Sequence, residues 1–352
     1  MNPCKTLART SLISSLESKL RSTNPRNLYS TSLRSIFNGN QGFNLNRPSF
    51  RSYGCVIQAV SPNITESIID SDLTVDTVEE LLSRRGSVQR LMKMERRSEI
   101  DELVSSRRWF PYLDEFKTDS GLVLTSSEVL EAVDSYILDV RKERIRNVVK
   151  NRSYSVCLVV EGLTDFGNVS ATFRSADALG IQSVHVVSRE GSKRYRDNRH
   201  VSMGAEKWLD IEIWNSTQDC FKVLKSRGYR IATTHLGMDT VSIYDMDWSC
   251  PTAIVVGNES KGISADALEL SDLHCSIPMQ GMVDSFNVSV AAGILMHHAV
   301  CDRTSRLGCH GDLTPEESQI LHAEFSLRHS RSALSIAHDY AKRKDVNLTP
   351  KL

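Results

Sequence analysis

Three polar loops, far apart in a chain of 352 residues, hold the side chains best suited to chemistry. They are residues 167–177 with Asn168 and Arg174, residues 257–262 with Glu259, and residues 277–290 with Ser285 and Asn287. Each type suggests a task. The guanidinium of Arg174 presents a fork of donors that grips a phosphate through two bonds. Glu259 accepts hydrogen bonds, and Gly257 and Gly262 beside it permit a tight turn and close backbone approach to a ligand. Ser285 and Asn287 add a hydroxyl and an amide, while Ile277, Met279 and Phe286 offer apolar walls for an adenine ring. Plainer readings compete. Arg174 paired with Asp177 on a helix surface is one, and Glu259 as a solvated surface acid is another.

The loops need elements to position them. Short apolar runs at 155–160, 183–187, 209–213, 230–233, 253–256 and near 274–277 alternate with helical segments, which predicts an α/β domain with a mostly parallel sheet. In such folds ligands bind beyond the carboxyl ends of strands, where the three loops fall. Neither GxGxxG nor GxxxxGK[ST] stands at a strand end, which disfavours an ordinary dinucleotide or P-loop site.

Outside this region, residues 74–97 have helical period, and a second helix starts near Ser126, where Thr125 and Glu128 have capping-box spacing. Leu130, Val133, Ile137 and Val140 recur along it at three and four residues. Its other faces hold Arg141, Lys142, Arg144, Arg146, Lys150 and Arg152, either a solvated surface or an RNA-facing one. A second basic cluster comprises Lys193, Arg194, Arg196, Arg199 and Lys207. From Leu313 the chain reads as one more helix, with Thr314 as cap, Pro315 in the first turn, Glu317 closing a capping box and Pro350 beyond its end.

Composition sets the outer bounds. With 40% hydrophobic and 24% charged residues, one main domain with appendages is expected. No apolar run has the length of a membrane span. The net charge is zero, but residues 1–60 hold eight basic residues against Glu17, a net +7, which leaves −7 for the rest. That basic, Ser- and Asn-rich start reads as a transit peptide, for chloroplast or alternatively mitochondrion; a disordered RNA-binding arm has the same composition. Eight cysteines show no CxxC, so reduced core thiols are expected. His297, His298, Cys301, Cys309 and His310 match no common zinc spacing, and no metal is expected.

The sequence of the three loops, in their order, resembles the motifs of the SpoU/TrmH family of SPOUT RNA 2'-O-ribose methyltransferases, and is most similar to the tRNA enzymes of the TrmH type. That resemblance implies a mostly parallel sheet flanked by helices with a C-terminal deep trefoil knot. Together with the basic start and the helical periods above, it divides the chain into a transit peptide or disordered segment (1–60), an N-terminal helical RNA-binding region (61–152), the methyltransferase domain (153–305) and a helical extension (306–352). It also implies S-adenosylmethionine as methyl donor, held by Thr234, Leu236, Gly257, Ile277, Met279 and Phe286. Catalysis would fall to Arg174, Asn168, Glu259, Ser285 and Asn287. The two basic clusters, rather than the resemblance, nominate Arg144, Arg146, Lys193, Arg194, Arg196 and Arg199 to meet RNA. The implied substrate is a D-loop guanosine of tRNA, with large-subunit rRNA or a catalytically inactive RNA-binding role as alternatives. The implied assembly is a homodimer with its active sites at the subunit interface. Because a guanidinium seldom gives up its proton, Arg174 is expected to orient a phosphate and stabilise the developing alkoxide rather than act as base.

Overall fold

Short strands with apolar centres build the middle of the molecule. The computed structural model describes residues 92–97, 108–188, 199–237 and 239–348, all within the unit Glu66–Leu352. A two-residue hairpin, β1 (Phe116–Lys117) and β2 (Val123–Leu124), leads into helices α1 (Ser126–Val133) and α2 (Asp139–Lys150). There follow β3 (Ser153–Glu161), α3 (Phe166–Ala178), β4 (Ile181–Val187), the short α4 (Arg199–Ser202), β5 (Asp210–Trp214), α5 (Thr217–Ser226), β6 (Arg230–Thr234) and β7 (Val241–Ser242). The chain continues through β8 (Thr252–Val256), α6 (Ala265–Leu270), β9 (Leu273–Ser276), α7 (Val288–Leu307), α8 (Pro315–His329) and α9 (Arg331–Leu348).

The last seven strands form one sheet in the order β5-β4-β3-β8-β6-β9-β7, every pairing parallel. All nine residues of β3 are buried, as a central strand covered on both faces requires. Its side chains alternate between two cores. Val156, Leu158 and Val160 pack with Phe173 of α3 and Leu295 and Met296 of α7, while Cys157 and Val159 pack with Phe221 and Leu224 of α5. The loops after β3, β6, β8 and β9 therefore issue from neighbouring strands at one end of the sheet.

A third core joins the two outer segments. Phe110, Tyr112, Val129, Ile145 and Val149 pack with Leu321, Phe325 and Ala337 of the tail. It is pinned by buried charge: Arg328 Nη2 meets Asp210 Oδ1 at 2.8 Å and its Nε meets Glu324 Oε1 at 2.6 Å. Glu324 also accepts from the backbone amides of Lys93 and Met94. Replacing Arg328 by Ala strands two carboxylates away from water, a loss of about 3–5 kcal/mol that the urea midpoint should reveal.

Three sequence expectations change here. Most of the helix expected over 74–97 lies outside the described residues, but residues 92–97 are not helical, with Arg96 bridging to Tyr112 and the amides of Lys93 and Met94 turned to Glu324. The helix expected from Ser126 breaks into α1, a 3-10 turn at Asp134–Tyr136 and α2, so Ile137 is buried and Val140 is 85% exposed. The tail is two helices, because Ser330 is extended and its hydroxyl accepts from Ala333 N at 3.1 Å, capping α9. Pro350 lies outside the described residues. Both expected capping boxes, at Thr125 with Glu128 and Thr314 with Glu317, are present. No described helix is long and apolar enough to cross a membrane.

Candidate functional site at the strand ends

Each loop is braced by its own backbone before its functional groups meet. Asp165 caps α3 by accepting from Gly167 N at 2.7 Å. In the second loop Asn258 and Gly262 exchange backbone hydrogen bonds at 2.9 Å in both directions. The Asn258 side chain accepts from Ser260 N and Lys261 N and donates to Gly162 O at 2.6 Å, tying this loop to the end of β3. Gly257 has no room for more than hydrogen: a Cβ there would lie 2.6 Å from Gly262 O. In the third loop Asn287 caps α7, its Oδ1 accepting from Ser289 N at 2.9 Å and from the Ser289 hydroxyl at 2.6 Å.

One hydrogen-bonded chain joins all three loops. Asn168 Nδ2 donates to Glu259 Oε1 at 3.1 Å, and Asn168 Oδ1 accepts from Asn287 Nδ2 at 3.1 Å. Its direction is fixed at both ends, since an ionised carboxylate only accepts and a helix-start amide only donates. Residues 91 and 119 positions apart are thereby held in one register.

Beside this junction opens a cavity of about 540 Å3. Its walls include Thr234, Leu236, Gly257, Ile277, Met279 and Phe286, the six residues expected to hold a cofactor, together with Glu259, Ser285 and Asn287. Thr234 is steadied by donating to Val255 O at 2.9 Å. Sequence reading overlooked Asn258, His235 and Asp284, which also line it. For Asn258 a signal existed: Asn before Glu-Ser-Lys-Gly is a side-chain-stabilised turn.

Residues 167–177, expected as a polar loop, lie on α3. The helix starts before Asn168, so Arg174 lies about 9 Å further along its axis. It is exposed and does not line the cavity. Nor does it pair with Asp177, which is held instead by the buried Arg152. Among the described residues Arg174 has no hydrogen bond or ion pair.

The basic residues divide. Arg144 and Arg146 are exposed on α2, Arg199 opens α4, and Lys193, Arg194 and Arg196 lie outside the described residues. Others in those clusters have structural tasks: Arg152 is buried, Arg141 lies 5.6 Å from the Trp208 ring centre, and Lys207 donates to His329 O at 3.0 Å. Cys157, Cys220 and Cys275 are buried as expected, whereas Cys250, Cys301 and Cys309 are exposed, and Cys4 and Cys55 lie outside the described residues. Among the described residues no group of three or more His, Cys, Asp or Glu side chains could hold a metal ion.

Known proteins resemble this chain in sequence. Residues 155–297 match the SpoU rRNA Methylase family. The chain is 33% identical over 184 residues to the tRNA (guanosine(18)-2'-O)-methyltransferase of Aquifex aeolicus, covering 52% of this chain and 87% of that protein. It is likewise 33% identical over 206 residues to the Escherichia coli K12 enzyme of the same name, covering 58% and 87%. A crystal structure of the A. aeolicus TrmH/SpoU tRNA modifying enzyme superposes with a TM-score of 0.48 at 29% identity, over 58% of this chain and 97% of that one. With the three loops joined at one cavity and relatives matched over most of their length, the chain belongs to the SpoU/TrmH family of S-adenosylmethionine-dependent RNA methyltransferases.

Proposed function

We propose that this protein transfers the methyl group of S-adenosylmethionine to the ribose 2'-hydroxyl of a D-loop guanosine in tRNA, the guanosine 18 named for its relatives. The Glu259–Asn168–Asn287 junction at the cavity is the observation that carries this reading. S-adenosylmethionine fits the cavity: the volume suits a nucleoside-sized ligand, Gly257 lets backbone approach it, and Ile277, Met279 and Phe286 form an apolar wall. When bound, it supplies an electrophilic methyl group. The chain's own residues then have to align a ribose with that methyl, which is a positioning problem. Glu259 and Asn287 offer an acceptor and a donor for the sugar, and Ser285 a hydroxyl. Arg174 holds the neighbouring phosphate and stabilises the alkoxide as the hydroxyl loses its proton to a phosphate oxygen or water.

Because Arg174 stands outside its own cavity, the reading includes a homodimer in which one copy's Arg174 serves the other's cavity. Support comes from exposed apolar groups beside the cavity: Met282, Val283, Phe286 and Val290, each at least 42% exposed. The knotted passage of the chain belongs to the same reading, supported by the small residues Ser289, Ala291, Ala292 and Gly293 on α7. So does an organellar address, the chloroplast first, supported by the basic N-terminus; residues 1–60 fused to a fluorescent protein would test it.

Asn168→Asp tests the junction. A carboxylate cannot donate to Glu259, so two negative groups would face each other and kcat/KM should fall about 10²-fold, with little change in the unfolding midpoint. Unchanged transfer to a tRNA transcript would detach the junction from function.

A further inference from the structure

A second cavity, of about 610 Å3, lies between α1, α2 and α8 and has no part in the site above. Its floor is apolar, with Val133, Ile137 and Val149 buried. Its rim carries Arg146, Lys150, Gln319 and His322. Gln319 Nε2 donates to Ser126 Oγ at 3.1 Å, leaving its amide oxygen to accept. Lys142 also lines the cavity, but Asp134 at 2.8 Å and Asp139 at 3.2 Å neutralise it. Arg146 is tied only to Glu143 at 3.3 Å, an exposed pair that water weakens, and the Lys150 ammonium has no partner among the described residues. An apolar floor with an amide and an imidazole above it suits a flat base with polar edges. Two available cations at the rim suit its phosphate.

We propose that this cleft takes an unstacked nucleotide of the substrate RNA with a neighbouring phosphate, as an anchor remote from the reaction site; this rests on the RNA methyltransferase reading. Position favours an RNA chain over a free nucleotide. Lys150 lies just before β3, the catalytic loops lie beyond its other end, and nine strand residues span roughly 30 Å. A ligand touching both ends must be a macromolecule, so the cleft adds affinity only for a large RNA.

The test uses the full chain with three probes: a tRNA transcript, a short D-arm hairpin and 5'-GMP. In the Arg146→Glu, Lys150→Glu double variant the Kd for tRNA should rise about tenfold or more, with the salt slope reduced by about one and a half. Affinities for the hairpin and for S-adenosylmethionine should stay unchanged. Ser318→Trp, which narrows the cleft without altering charge, should weaken tRNA binding in the same selective way. Unaltered tRNA affinity in both variants overturns the proposal, as does equal loss of hairpin affinity. Binding of 5'-GMP in the cleft that tRNA does not displace would make it a free-nucleotide site and overturn it too. A wild-type protein that binds tRNA through this cleft yet transfers no methyl would sink the proposed reaction and leave the anchor standing.

Discussion

Arg174→Ala should lower kcat for methyl transfer by about 10²–10³-fold while leaving S-adenosylmethionine affinity and the unfolding midpoint where they are. The separation follows from position. Arg174 is exposed, lines no part of the strand-end cavity and has no partner among the described residues, so its removal takes nothing from the fold or the pocket. Arg174→Lys should not rescue, because a point charge lacks the two-bond fork. If cofactor affinity falls along with kcat, Arg174 is structural. Mixing Arg174→Ala with a cavity-dead variant asks whose cavity it serves. Random re-pairing makes half the dimers mixed, each with one complete site if Arg174 acts across the interface, so about a quarter of wild-type activity should return. Action within one copy restores none.

Gly257→Ala supplies that cavity-dead partner. The new Cβ would sit 2.6 Å from Gly262 O and 2.7 Å from Ile263 N, both backbone atoms that cannot swing aside. The bridge between Asn258 and Gly262 must open, and it shapes the cavity wall holding Glu259. S-adenosylmethionine affinity should drop by two orders of magnitude or more, on the order of 3 kcal/mol, in calorimetric titration. Native affinity in this variant would remove the tight second loop from cofactor binding.

Much of this was legible before the structure. The strands declared themselves because buried parallel strands are continuous apolar runs, as at Val156–Val160 of β3 and in β8. Helix starts showed through capping chemistry, at Thr125 and Thr314. What escaped was set by distant partners. Nothing local in residues 134–138 announces a helix break, since the apolar spacing runs on through Ile137 while the chain turns to bury it. Strands β1, β2 and β7 are two residues long, too short for periodicity to register. At the site, residue types and the cavity wall were readable from the loop motifs, but the Asn168 relay joins positions 91 and 119 apart and no spacing rule reaches that far. The helical setting of Arg174 escaped for a local reason: Asp165 caps the helix three residues before Asn168.

Nucleoside mapping of a tRNA transcript after incubation with the full chain and S-adenosylmethionine labelled in its methyl group tests the central claim most directly. The label should appear as 2'-O-methylguanosine at one D-loop position, and be lost with Arg174→Ala. Label on a base, or none on tRNA under conditions where the cofactor binds, would contradict the proposed reaction.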